Sequence, residues 1–311
     1  MKIVVIGGTG HIGTFLIPRL VLAGHEVICV SRQNRKPYLA HAAWDLVRMV
    51  SINRDQAEQD TNFGAQIRNL NPDVVIDLIC FTRQSAQHLV EALQGHIQHF
   101  IHCGTIWVHG HSEVVPTHEN QQRKPICEYG KNKAAIEEYL LTMARKSGFP
   151  ATLLHPGHIV GPGWVPVNPI GTENPEVFKL LAQGKELVLP NLGMETLHHV
   201  HADDVAAAFC NAMENRNNAI GENFHIVSEQ ALTLRGYATA IAARYGQEAK
   251  LRFLPWEEWK LTVSESEAEE TWDHIAHSPN CSIEKAKRLI NYKPRYTSLQ
   301  AIEEALNHII N

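Results

Sequence analysis

Within its first 13 residues the chain passes from an unbroken apolar run into a glycine-rich turn, and few folds accept that order. Lys2 to Ile6 reads as a strand buried on both faces. From His11 to about Ala23, the residues Ile12, Phe15, Leu16, Leu20 and Val21 recur at helical spacing, and Gly24 supplies a C-terminal stop. Joining strand and helix is Gly7-Gly8-Thr9-Gly10-His11-Ile12-Gly13, which fits both GxGxxG and GxxGxxG spacings. Small residues are needed here because the turn is tight, the backbone must approach a pyrophosphate closely, and the helix must pack hard on the strand. The unpaired N–H groups at the helix start then face phosphate charge. Gly7, Thr9, Gly10, His11, Ile12 and Gly13 are therefore the candidate residues of a dinucleotide cradle.

Further strand-like runs at 26–30, 74–79, 100–103 and 151–154 alternate with helical patterns at about 62–70, 83–93 and 129–145. This alternation predicts an α/β fold, a Rossmann-type doubly wound parallel sheet with a small mixed C-terminal substrate domain. After Val160 a glycine- and proline-rich loop interrupts the pattern. A helix at 175–183, a β-like piece at 198–201, a helix at 203–214, a core strand at 222–228 and a last helix at 298–310 follow. Residues 1–160, with returns near 198–228, are expected to form the dinucleotide-binding domain. Residues 161–197 and 229–311 are expected to form the smaller substrate domain.

Composition narrows the function classes. The 28 basic and 33 acidic residues leave a formal charge of −5, which argues against nucleic acid as a partner. No run approaches the roughly 20 apolar residues that span a bilayer, so no membrane partner is expected. No small-residue cleavage region follows the first apolar run, which reads as a mature cytoplasmic start. The six cysteines are scattered without a CxxC pair and are expected to be reduced and mostly buried.

The end of the second strand reads Ser31-Arg32-Gln33-Asn34-Arg35-Lys36, with no acid to bond a ribose 2′-hydroxyl; Glu26 comes too early. An arginine there accommodates a 2′-phosphate, so NADP is favoured over NAD, with Ser31 and Arg32 as its contacts. The alternative is a basic solvated loop beside NAD. Farther on, Tyr129 and Lys133 form a YxxxK and share a helix face. A lysine cation nearby lowers a phenol's pKa and fits the tyrosine to exchange a proton with a substrate alcohol. Thr105, just after the strand at 100–103, supplies the hydroxyl that such chemistry needs. His109 and Trp164 are candidate substrate contacts, His109 with the alternative of simple exposure, and His102 is expected to be a satisfied core residue. His198-His199-Val200-His201 tempts a metal reading, but no CxxC or HExxH accompanies it, and no metal is expected.

These motifs together resemble an extended short-chain dehydrogenase/reductase of the NAD-dependent epimerase/dehydratase family, similar to nucleotide-sugar epimerases and to chloroplast stem-loop-binding proteins of related layout. The resemblance covers nearly the whole chain. It runs through GGTGHIG, Thr105, YGKNK at 129–133 and HPGHIVGP at 155–162 to HVHADDV at 199–205. It implies that Thr105 hydrogen-bonds the reacting oxygen, Tyr129 is the general acid/base, and Lys133 tunes it and holds the nicotinamide ribose. It implies too that Leu78, Ile79 and Cys80 line the cofactor and that Pro156 and His158 flank the nicotinamide. Asn53-Arg54-Asp55 lies either by the adenine or in a surface turn. A homodimer is expected on the same ground. Sugar-nucleotide dehydratases place an Asp-Glu pair after the Ser/Thr, where this chain has Ile106 and Trp107, so dehydration is disfavoured. His158 stands where many sugar-nucleotide enzymes have an Asn, which weakens the case for a nucleotide-diphosphate sugar. The expected activity is that of an NAD(P)-dependent oxidoreductase or epimerase, moving hydride at a secondary alcohol or ketone carbon of a sugar or nucleotide-sugar-like substrate. The alternative is a catalytically silent cofactor-binding sensor or RNA-associated protein.

Overall fold

The first apolar runs become strands because both of their faces are covered. In the computed structural model, which describes residues 1–32 and 34–309, the N-terminal part runs β1 (Lys2–Ile6), α1 (His11–Leu22), β2 (Glu26–Ser31), β3 (Arg48–Ser51), α2 (Arg54–Gln59), α3 (Phe63–Arg68), β4 (Val74–Asp77), α4 (Arg83–Leu93), β5 (His99–Cys103), α5 (Glu128–Ser147) and β6 (Ala151–Pro156). Along β1, Ile3 and Val5 enter one core with Leu16 and Leu20 of α1. Val4 and Ile6 enter a second, with Leu89 of α4 and Ile136 of α5. Alternate residues thus point into different cores, and no polar residue interrupts the run.

The remainder comprises β7 (His158–Val160), α6 (Glu176–Ala182), β8 (Glu186–Pro190), β9 (Thr196–Leu197), β10 (His199–His201), α7 (Ala202–Glu214), α8 (Arg216–Ala219) and β11 (Asn223–Ile226). After them come β12 (Leu232–Thr233), α9 (Leu234–Arg244), β13 (Lys250–Leu254), α10 (Trp256–Trp259), α11 (Glu265–His277), α12 (Glu284–Ile290) and α13 (Ser298–Leu306). The main sheet has seven parallel strands in the order β11-β6-β5-β4-β1-β2-β3. The chain builds outward through β2 and β3, re-enters on the other side of β1 with β4, and builds away again. Strand order therefore reverses between β1 and β4, and ligands bind in the crevice beyond the carboxyl ends at such a point. A third core, with Phe178, Leu189, Tyr237, Trp259 and Ile302 at its centre, gathers residues from the later part of the chain. No helix among the described residues is long and apolar enough to cross a membrane.

Several elements differ from their sequence expectation. β3 was not anticipated: Arg48-Met49-Val50-Ser51 is an edge strand with little burial, so the continuous apolar signature is missing. The parallel pair β8–β13 likewise gave no clear pattern. The strand expected to reach Ile79 ends at Asp77, whose carboxylate accepts the Ile79 N–H at 3.2 Å and turns the chain out of the sheet. The last helix ends at Leu306, and Ile310 lies outside the described residues. His102 is buried as expected, but neither of its ring nitrogens has a hydrogen-bond partner.

Candidate active site

Two cavities open along the carboxyl ends of the strands. The first, about 300 Å³, is floored by Gly7, Thr9 and Gly10 and walled by Val30, Ser31, Arg32 and Ile79. The turn beneath it tolerates only glycine at critical points. Gly7 has φ +82°, and a Cβ on Gly13 would stand 1.9 Å from the carbonyl oxygen of Gly8. α1 begins immediately after the turn, so its first N–H groups are available to an anion there. A glycine floor, a helix start and an arginine-bearing rim fit a dinucleotide's pyrophosphate and adenosine.

The cavity also recruits residues whose role was open or unread in the sequence. Ile52, Asn53, Arg54 and Asp55 line it, which places the Asn53-Arg54-Asp55 segment at the cavity rather than in a remote surface turn. Arg35 joins Arg32 at its rim. Arg54 is held rigidly: Nη1 donates to both Asp77 oxygens at 2.9 and 3.0 Å, and Nε to Glu58 at 2.6 Å. Other expected cradle residues sit apart from the cavity surface. Ile12 and Gly13 are buried in the start of α1, and Leu78 packs on the core. His11 is buried and stacks on Trp164, ring centroids 4.4 Å apart, which ties the glycine turn to the loop after β7. Burial, reinforced by His201 nearby, pulls the His11 pKa down to about 3 and keeps the ring neutral.

The second cavity, about 200 Å³, brings together Thr105, Tyr129, His158 and Trp164. Thr105 caps a short 3₁₀ turn, its hydroxyl accepting the Trp107 N–H at 3.3 Å. Its own N–H donates to His155 Nδ1 at 2.9 Å. Behind His155 stands Glu137 of α5, 3.4 Å from Nε2. Lys133 is buried and donates to the carbonyl oxygens of Cys80 and Cys103, both at 2.8 Å. It thus ties α5 to the loop after β4 and to the end of β5, and Cys80 enters the site through its backbone.

The ammonium lies 5.8 Å from the Tyr129 ring centre and spends two of its N–H groups on those carbonyls. The expected lowering of the phenol pKa by Lys133 is not what the geometry produces. Tyr129 is 41% exposed, yet its hydroxyl end is enclosed; that burial pushes the phenol above its ordinary value, with the Thr105 hydroxyl acting the other way. Lys133 is itself shifted down, burial being the largest cause.

Trp107 supplies a wall that sequence reasoning missed as a contact, although its position after Thr105 was noted. It lies edge-on to Tyr129, His158 and His274 and stacks on His277 at 4.3 Å. His274 and Glu173 also line the cavity, and no motif marked either. His109, expected as a substrate contact, is instead buried, its Nε2 2.8 Å from His225 Nε2. The chain turns inward there because the 3₁₀ segment Ile106–His109 ends at Gly110, which takes φ +73°. Pro156 closes β6 in the sheet, one residue before the cavity-lining Gly157. His199 and His201 do not converge: Nε2 of His199 is 3.0 Å from the Val167 carbonyl, and His201 Nδ1 caps α7. Among the described residues no group of three or more metal-ligating side chains comes together. All six cysteines are free thiols.

The sequence model of the NAD dependent epimerase/dehydratase family matches residues 3–226. The chain is similar to the chloroplast stem-loop binding protein of 41 kDa b of Arabidopsis thaliana, at 25% identity over 98% of this chain and 78% of that protein. It is also similar to 2'-dehydrokanamycin reductase of Streptomyces kanamyceticus, at 26% identity over 88% of this chain and 76% of that one. Among solved structures, UDP-glucose 4-epimerase of Thermotoga maritima superposes with a TM-score of 0.76 over 100% of this chain and 99% of that one, at 20% identity, and shares the fold.

Proposed function

Because the chain belongs to the NAD-dependent epimerase/dehydratase family and is an NAD(P)-dependent enzyme, we propose that it moves hydride at a secondary alcohol or ketone carbon of a sugar-like substrate. The observation that carries the reading is the convergence of Thr105 and Tyr129 on one cavity wall, next to a glycine cradle. The nicotinamide, when bound, supplies or accepts the hydride. Gly7, Thr9 and Gly10 would seat the pyrophosphate at the start of α1, and Pro156 and His158 would flank the reactive ring. Lys133 has one N–H beyond the two it spends on carbonyls, and a ribose hydroxyl would take it. Trp164, Val165, Val167 and Glu173 from residues 161–197, with His274 from 229–311, would enclose the substrate.

Thr105 would donate its hydroxyl proton in a hydrogen bond to the substrate oxygen. Tyr129 would then deliver a proton to that oxygen as hydride reaches the carbon, so that a ketone gains one hydride and one proton and becomes an alcohol. A tyrosine phenol is protonated at neutral pH and so holds the proton that this direction delivers. NADP is the cofactor we favour, with Ser31, Arg32 and Arg35 on its 2′-phosphate.

The test is Tyr129→Phe, with carbonyl-dependent oxidation of NADPH measured beside NADPH affinity. Turnover is expected to fall by about 10²–10⁴-fold with affinity retained. A protein that binds the cofactor and turns over no carbonyl or alcohol in either form would be a binding protein.

A further inference from the structure

The two cavities differ in charge. Arg32, Arg35 and Arg54 line the first. Among the described residues the second is lined by no lysine or arginine, and the carboxylate in its lining belongs to Glu173. Glu173 donates its backbone N–H to Glu270 Oε1 at 2.7 Å, so a second carboxylate stands at the same lip. Lys179, close by in sequence, is committed to Glu176 at 2.6 Å. Deeper in the wall, His158 is 9% exposed and neither ring nitrogen has a hydrogen-bond partner. Buried polar groups are almost always paired, so an unpaired imidazole at a cavity wall marks a place for a ligand hydroxyl or amine. Trp107 and Trp164 present indole surface to the same space, and such faces attract cations.

We propose that this cavity takes an unphosphorylated, amine-bearing sugar, its ammonium held by Glu173 at the lip and a hydroxyl by His158 at the wall. The inference rests on the hydride-transfer reading and deepens it, since Thr105 and Tyr129 remain the groups that address the reacting oxygen. A diphosphate at this lip would meet the carboxylates of Glu173 and Glu270, a like-charge juxtaposition that disfavours it.

The experiment titrates the NADPH-loaded protein calorimetrically with glucosamine, methyl α-glucoside and UDP-glucose. Glucosamine should bind about 5-fold more tightly than the neutral glycoside, the scale of one partly exposed ion pair, and UDP-glucose most weakly. Glu173→Gln should erase the preference for glucosamine while NADPH affinity stays unchanged. UDP-glucose binding tightest, glucosamine binding no tighter than the glycoside or not at all, or a preference that survives Glu173→Gln would each overturn the proposal alone. Failure of both NADPH and NADH to bind the free protein would overturn the cofactor reading and this proposal with it.

Discussion

Arg32 and Lys133 show how far a residue's role can be read before its neighbours are known. Arg32 follows β2 directly, and the rule for the end of that strand is a rule about local sequence, so its place at the cradle's rim was legible. Arg35 lines the same cavity, which no strand-end rule marked. If Arg32 grips a 2′-phosphate, Arg32→Ala should weaken NADPH binding by about 10-fold or more, the loss of one charge-assisted hydrogen bond. NADH binding should hold, and a fluorescence titration with both cofactors separates the two. For Lys133 the spacing to Tyr129 was visible, but its hydrogen-bond partners were not. They are the carbonyls of Cys80, in the loop after β4, and of Cys103, at the end of β5, brought to α5 by the sheet.

α5 is the element on which the site depends. Tyr129, Lys133 and Glu137 recur at four-residue spacing along one face. Only the first two form a recognisable motif. Glu137 is buried at 2% exposure and accepts Arg123 in a two-pronged bond, at 2.9 and 2.5 Å, together with the amide of Asn223. It also backs His155, which accepts the Thr105 N–H. Its ionised form is strongly favoured, because His155 and Arg123 outweigh the cost of burial. Glu137→Ala would leave Arg123 and Asn223 without their shared acceptor. A loss of about 3–5 kcal/mol in urea unfolding is expected, larger than for Glu137→Gln, which keeps an acceptor oxygen. Nothing in the sequence ties residue 137 to 123, 155 and 223, since that cluster exists only once α5, β6 and β11 stand side by side.

At the scale of the molecule, its many histidines define the acid limit of stability. His198 and His199 are wholly buried and His99 nearly so. Burial is the largest cause in each case and pulls their pKa values down to about 4, 3 and 4. With folded values below the unfolded 6.5, each takes up a proton on unfolding, so stability rises with pH between about 4 and 6.5 and is flat above it. By pH 5.5 each such ring costs about 1 kcal/mol. Three of them are a sizeable part of a domain's net stability. The midpoint of urea unfolding should therefore drop steeply from pH 7 to pH 5, and an unchanged midpoint would contradict the burial of these rings.

Local order along the chain was enough for the sheet core, the glycine cradle and the YxxxK helix. Each rests on interactions between residues close in sequence, or on a periodicity that burial imposes directly. The edge strand β3, the inward turn of His109, the wall of Trp107, Glu173 and His274, and the cluster around Glu137 were decided by tertiary structure alone. Their partners lie from 14 to more than 100 residues away, and neither hydrogen-bond satisfaction nor the sign of charge in a cavity has a sequence period to betray it.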